Sequence, residues 1–266
     1  MNKAAGASQE IRSIESLNRL DSIVHNLSPL SKFILTMVYI VTVASFNRYD
    51  IFGIFAMLLI PLIGYTLSLI PVSLCFRKMK YVLPIVMLVG IINPFLDREI
   101  ALTMGRVPIS YGVISMLTLM LKGIFSVMAS FLLVATTPVD ELCRSLRRIH
   151  VPKLIVSLLL LTYRYIFVFL DEVSVMTDCY ALRAPGQKGI AFSAWGSFLG
   201  GLIVRSEGKA SGNYDCMLLR GFNGEFEYSM KEYSKLSWLW VIILIALIIT
   251  VRLINIPMLL GMQIVR

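Results

Sequence analysis

The chain has 266 residues, 57% of them hydrophobic and 15% charged, where soluble domains carry about a quarter charged. Runs approaching the ~20 apolar residues that cross a bilayer recur along it, and the ~10-residue alternating segments of a membrane barrel do not, so the class is an all-α polytopic membrane protein. The net charge of +9 fits Lys and Arg gathered on a cytoplasmic face; with no basic run or nucleic-acid motif, it does not point to nucleic acid.

Residues 1–28 form an N-terminal segment without the apolar core of a cleavable signal. Ile11, Ile14, Leu17, Leu20, Ile23 and Val24 recur at three- and four-residue steps among Arg12, Glu15, Arg19 and Asp21, which predicts an amphipathic helix at the membrane interface. Residues 29–136 then hold four spans. The first runs Leu30–Phe46 and the second Ile51–Ile70, joined by the turn Asn47-Arg48-Tyr49-Asp50. The following loop carries Arg77, Lys78 and Lys80 with no acid, which places it, and the N-terminus, in the cytoplasm. The third span, Tyr81–Leu96, contains Pro84 and Asn93-Pro94, which kink or break it. The loop Asp97–Pro108 balances its charges and suits the outside. The fourth span, Ile109–Ala135, carries Lys122. A charge within a span is a functional candidate; a lysine facing a partner helix or snorkelling to the interface is the equal alternative.

Residues 137–235 differ in character. Thr137 is placed to cap a short helix, with Pro138 at its first position and Asp140 and Glu141 in its first turn. Arg144, Arg147 and Arg148 end it, and His150-Val151-Pro152 breaks the chain. Leu154–Leu170 and Gly189–Val204 are apolar enough to be taken for spans. Against that, Ser157, Arg164, Asp171 and Asp178 recur every seven residues, a spacing that drifts only ~20° per step and makes one polar stripe. In the second run, Ser193, Ser197, Gly201, Arg205, Lys209 and Asn213 step by four, and Gly196, Gly200 and Gly201 permit close backbone approach. This predicts two long cytoplasmic helices; insertion of both would raise the span count from five to seven. The last span is Leu236–Leu253, announced by Trp238 and Trp240, within a closing segment of residues 236–266.

Chemistry is sparse. Val204-Arg205-Ser206-Glu207-Gly208-Lys209-Ala210 lacks a phosphate loop's first glycine, with Ile203 in its place, and its hydroxyl residue, with Ala210 there instead. Cys75, Cys143, Cys179 and Cys216 form no CxxC pair, and His25 and His150 stand apart from other ligands, so no metal site is predicted in this chain. No hydrolase constellation is present. Asp171-Glu172 reads as an anchor or ion-pair partner, because adjacent residues face different sides of a helix. What remains are two helix ends rich in arginine and glycine: Arg183-Ala184-Pro185-Gly186 and Leu219-Arg220-Gly221. Arginine's rigid fork matches a carboxylate in two contacts, and glycine lets the chain turn at once.

Arg147-Arg148-Ile149-His150-Val151-Pro152-Lys153, Leu159-Leu160-Leu161-Thr162-Tyr163-Arg164-Tyr165, Phe169-Leu170-Asp171-Glu172 and Met217-Leu218-Leu219-Arg220-Gly221-Phe222-Asn223-Gly224 resemble the T component of energy-coupling-factor (ECF) transporters, specifically the CbiQ type of cobalt importers. The resemblance is strongest from Pro138 to Phe226. It implies a non-catalytic plasma-membrane scaffold without cofactors of its own. Partner ABC-type ATPase subunits, two of them, bind ATP and magnesium; a separate membrane subunit binds cobalt; the spans sit in the lipid bilayer. Cytoplasmic coupling helices dock their arginine motifs into the ATPases. Leu219, Arg220 and Gly221 match the second motif, usually Ala-Arg-Gly. The first departs from it: Ala184-Pro185-Gly186 has proline where arginine is expected, and Arg183 lies two residues earlier, ~200° around an ideal helix. It serves only if the helix breaks at Pro185. Nickel is the alternative cargo, and a stand-alone secondary transporter, with Lys122 or the Asn93-Pro94 break at its site, is the alternative class.

Overall fold

The computed structural model describes residues 24–96, 100–104, 107–187, 189–224 and 236–253, with positions 6, 9, 13, 15, 17, 18, 22 and 226. The amphipathic N-terminal helix, the charged loop at 97–99, Lys188, Lys231, Lys235 and the tail beyond 253 fall largely or wholly outside these residues. The architecture is all-α. Ten helices are described: α1 (Pro29–Ala44), α2 (Ile51–Ala56), α3 (Leu59–Ser68), α4 (Val72–Ile91), α5 (Asn93–Leu96), α6 (Tyr111–Thr136), α7 (Val139–Leu146), α8 (Lys153–Arg183), α9 (Trp195–Leu219) and α10 (Leu236–Leu253). A two-stranded antiparallel ribbon, β1 (Ile100–Met104) with β2 (Val107–Ser110), fills the loop before α6. The chain divides into two compact units, one of residues 1–16 and 139–231, the other of 17–138 and 232–266.

In the second unit, α6 is the central helix, against which α1, α2, α3 and α4 pack. Ser28 starts α1 by accepting the Ser31 amide hydrogen, with Pro29 in the first turn. The span expected at Ile51–Ile70 is two helices, and the cause is Pro61. Proline has no N–H for the carbonyl four residues back, so the Met57 carbonyl receives from the backbone only a longer bond from the Ile60 N–H, at 3.4 Å. The buried Tyr39 hydroxyl donates to that carbonyl at 3.0 Å. The third span also differs. Its helix starts at Val72, nine residues before the expected Tyr81, and takes the basic loop residues into its first turns; Pro84 does not end it. Gly90 and Gly123 make room for close packing between α4 and α6: a Cβ there would stand 3.3 Å from Met116 and 3.0 Å from Val86. Tyr39, Val43, Ile54, Met57, Tyr65, Phe125, Met128 and, from α10, Ile248 form the core.

Two lysines cross between α1 and α6. Lys32, buried on α1, donates to the carbonyl of Thr136, the last residue of α6, at 2.8 Å. Lys122 on α6 donates to the carbonyls of Ala44 at 3.1 Å and Phe46 at 2.6 Å, just where α1 ends. Arg252 of α10 joins there, bonding the Ser45 carbonyl at 2.8 Å and lying over the Phe46 ring. The last carbonyls of a helix lack intrahelical partners and carry partial negative charge. Each helix of this antiparallel pair therefore neutralises the other's C-terminus, an interaction worth roughly 1 kcal/mol per cation.

In the first unit, α7 begins at Val139. Thr137 is not its cap: its hydroxyl oxygen is buried without a hydrogen-bond partner. Asp140 and Arg144 pair at 3.5 Å across one turn. A short 3-10 turn (Arg147–Ile149) follows, His150 takes a left-handed conformation (φ 63°), and Pro152 precedes α8, the break expected there. Cys143, Val156 and Leu160 form the local core; burial, then the nearby Asp140, pushes the Cys143 thiol pKa up.

Candidate functional site

Helices α8 and α9 run antiparallel and carry the residues singled out in the sequence. Their order along each other is read from shared neighbours. Met176 on α8 lies 3.5 Å from where a Cβ on Gly201 would stand. Glu172 meets Arg205 and Lys209. Near the start of α8, Leu161 and Arg164 share one open concavity with Asn213, Cys216, Met217 and Arg220 of α9. Arg183 closes α8 at the other end. Arg164 and Arg183 are nineteen residues apart, so the level of Arg220 and the level of Arg183 differ by roughly 28 Å at ~1.5 Å per residue.

The Arg220 end is a Schellman motif. Arg220 caps α9; Gly221 has φ +82°, its N–H donates to the Leu218 carbonyl at 2.9 Å, and the Phe222 N–H donates to the Met217 carbonyl at 3.0 Å. The chain then folds back across the hairpin. The Ser157 hydroxyl donates to the Gly224 carbonyl at 3.2 Å, and the Phe222 and Phe226 rings pack with centroids 4.9 Å apart. Arg220 thus stands exposed on a cap fixed from both sides.

The Arg183 end is built otherwise. Arg183 is the last residue of α8, and Ala184 follows as its cap, so the helix does stop before Pro185. A Schellman bond from the next residue is impossible, because Pro185 has no N–H. Instead the Gln187 N–H donates to the Ala184 carbonyl at 3.3 Å, with Pro185 second and Gly186 (φ +93°) third, the positions a type II turn requires. The Tyr180 hydroxyl donates to Gln187 Oε1 at 2.9 Å and accepts the Ala191 N–H at 3.3 Å, tying the loop to the helix. Counted from the helix end, Arg183 sits one residue before the place Arg220 holds, ~100° around the axis.

The polar stripe of α8 divides in use. Ser157 is buried and holds the returning chain, while Arg164, Asp171 and Asp178 are exposed, Arg164 lining the same open concavity as Arg220. The acid that joins the two helices is Glu172, Asp171's neighbour. Of the small residues on α9, Gly201 approaches α8, whereas Gly196 and Gly200 face open space. Of the pair Asp171-Glu172, read from the sequence as an anchor or ion-pair partner, Glu172 makes the ion pairs with Arg205 and Lys209; Tyr180 is not among the residues the sequence points to. Glu172 was legible as one acid opposite two cations four residues apart; Tyr180 carried no local signal. Among the described residues no group of three His, Cys, Asp or Glu is placed to hold a metal ion.

A family model described as cobalt transport protein, CbiQ, matches residues 21–233. The chain belongs to the CbiQ family. The chain is also similar to curated proteins. An uncharacterized protein of Methanocaldococcus jannaschii is 27% identical over 250 residues, covering 92% of this chain and 82% of that one. The energy-coupling factor transporter transmembrane protein EcfT of Ruminiclostridium cellulolyticum is 27% identical over 197 residues, 70% of this chain and 69% of that protein. As a CbiQ protein the chain is a membrane transport component. Its helices Tyr111–Thr136 and Lys153–Arg183 have the length and apolarity of membrane spans, with shorter apolar helices around them.

Proposed function

We propose that this CbiQ-family chain is the transmembrane T component of an ECF importer for cobalt. It couples two cytoplasmic ATPase subunits, which bind ATP and magnesium, to a separate membrane subunit that binds the metal. The observation that carries this reading is the placement of two arginine-bearing helix ends at opposite ends of one antiparallel hairpin. A separation of roughly 28 Å is too large for one acidic groove and suits two subunits. In this reading the spans are α1, α2 with α3, α4, α6 and α10. Helices α8 and α9 are the cytoplasmic arms, and the N-terminus lies on their side of the membrane. Lys153–Arg183 is long and apolar enough to insert, but its exposed Arg164, Asp171 and Asp178 favour a surface location. The chain itself is non-catalytic, and its metal would be held by the partner.

The stand-alone transporter reading is weaker than the sequence left it. Of the two features on which that reading relied, the helix break at Asn93-Pro94 is present, but Lys122 is bonded to two carbonyls at the end of α1. Nickel remains the alternative cargo, because the partner subunit selects the ion.

The test is affinity purification of the tagged chain from native cells in mild detergent, with cobalt and nickel uptake measured alongside. Recovery of an ABC-type ATPase and a second membrane protein, both lost with Arg220→Glu, supports the reading. Recovery of the chain alone, under conditions that preserve other membrane complexes, refutes it.

A further inference from the structure

Helices α8 and α9 meet closely over a short stretch. There Glu172, with its side chain only 13% exposed, holds Arg205 on Oε1 at 2.9 Å and Lys209 on Oε2. Met176 and Gly201 touch beside it. Next to this contact the gap between the helices is about 60 Å³, lined by Tyr165, Val168, Phe169, Ser206 and Ala210. Further along it widens to the concavity of about 950 Å³ that holds Arg164 and Arg220. The carboxylate therefore sits at the narrow part of a wedge. It is eleven residues from Arg183, roughly 17 Å along the helix.

An apolar contact between helices tolerates sliding and rotation. A carboxylate shared by two cations four residues apart does not, because those cations lie one above the other on a single face. A shift of one turn, about 5.4 Å, would put one cation in the other's place and carry the second away, so Glu172 would keep at most one of its two bonds. Charge-assisted bonds also lose strength steeply when misaligned. We infer that Glu172, through Arg205 and Lys209, is a positioning residue that sets how the two arms cross and hence where the Arg183 and Arg220 ends lie relative to each other. Its consequence for transport rests on the coupling reading above; its geometry does not.

The chain supplies its own probes. Cys179 on α8 and Cys216 on α9 are exposed, while Cys75 and Cys143 are buried. Spin labels on the native thiols of the full chain, reconstituted in lipid nanodiscs, report one distance between the arms by pulsed electron paramagnetic resonance. The native chain is expected to give a single narrow distribution. Glu172→Gln should broaden it, and Glu172→Lys should abolish the narrow component. Combining Glu172→Lys with Arg205→Glu and Lys209→Glu should restore it, which a general loss of folding would not allow. A narrow distance that survives Glu172→Gln and Glu172→Lys overturns the proposal, as does failure of the reversed triple variant to restore it. If the distance responds as expected while ATPase recovery and metal uptake do not change, the clamp stands and the coupling reading falls.

Discussion

At Arg220 the helix stops on a glycine that completes two backbone hydrogen bonds; at Arg183 it stops because the residue after the cap has no N–H to give. The first arrangement fixes arginine on the cap itself, between α9 and a chain segment that returns to Ser157 on α8. The second leaves arginine on the final helical residue, followed by a proline–glycine turn that Tyr180 secures. Two ends that look like variants of one motif thus present the same guanidinium from different backbone geometries. The difference teaches that glycine spacing alone does not define the motif. Counted from where the helix ends, the two arginines differ by one residue: Arg183 is the last helical residue and Arg220 is the cap.

The largest expected effect separates the ends by charge reversal. Arg220→Glu should reduce ATPase recovery roughly 30-fold or more, the equivalent of the ~2–5 kcal/mol lost when one member of a buried charge pair is removed. Arg183→Glu should weaken it only several-fold, since that arginine is off the family position. Quantitative immunoblotting of the co-purified ATPase, with cobalt uptake in cells, measures both. Equal losses would mean that the two geometries are functionally equivalent; no loss at Arg183 would remove it from the interface. Pro185→Arg sharpens the same comparison. It restores an N–H after the cap and an arginine at the usual position, and should increase ATPase recovery. Were recovery to fall instead, the turn itself would be what the first end contributes.

The unevenness of these ends was partly visible in the sequence. Arg220-Gly221 was plain, and the stop before Pro185 followed from proline's missing N–H and its restriction of the preceding residue. Family membership was also legible, because long runs from Pro138 to Phe226 carried it. The break of the second span at Met57 was not. Pro61 weakens the helical bonding of the Met57 carbonyl, but nothing local says that Tyr39, eighteen residues away, donates to it. Lys122 was visible as an anomaly and opaque as to purpose, since its partners lie more than seventy residues away. The stripe on α8 was real as a pattern yet mixed in role. Seven-residue spacing brings Ser157 and Arg164 near one line, but the returning segment at Gly224 covers the first and not the second. Glycine placement on α9 fell to the same limit: periodicity groups Gly196, Gly200 and Gly201, and only the neighbouring helix decides that Gly201 alone is approached.

A smaller effect tests whether each turn is held by its glycine. A Cβ at Gly221 or Gly186 would meet nothing within 4 Å, so Gly221→Ala and Gly186→Ala introduce backbone strain without a clash. A left-handed L-residue costs about 1–2 kcal/mol. The Phe222 amide should therefore exchange with deuterium roughly 5- to 30-fold faster in Gly221→Ala, and the Gln187 amide similarly in Gly186→Ala. Only the first should also lower ATPase recovery, because only there does the glycine fix the arginine-bearing cap. Tyr180→Phe removes the bonds to Gln187 and Ala191 and should cost about 1 kcal/mol locally, or ~5-fold faster exchange at the Ala191 amide. Unchanged exchange there would mean that Pro185 and Gly186 hold the turn without help.

The smallest effect is on pH. Lys209 and then Arg205 hold the Glu172 carboxyl below its ordinary pKa. A carboxyl depressed in the folded state stabilises that state above its unfolded value, about 4.3, and the contribution is lost as pH falls through the folded value. Both cations are half exposed, so salt screens the pair. The expected signature is modest: between pH 7 and 5 the Cys179–Cys216 distance stays constant, and it broadens only below the ordinary carboxylate range, less sharply at high salt. The Glu172→Gln chain should show no such transition at this joint. Broadening in both chains at the same pH would assign the acid response elsewhere, with Asp171 and Asp178 on the same helix the first to replace.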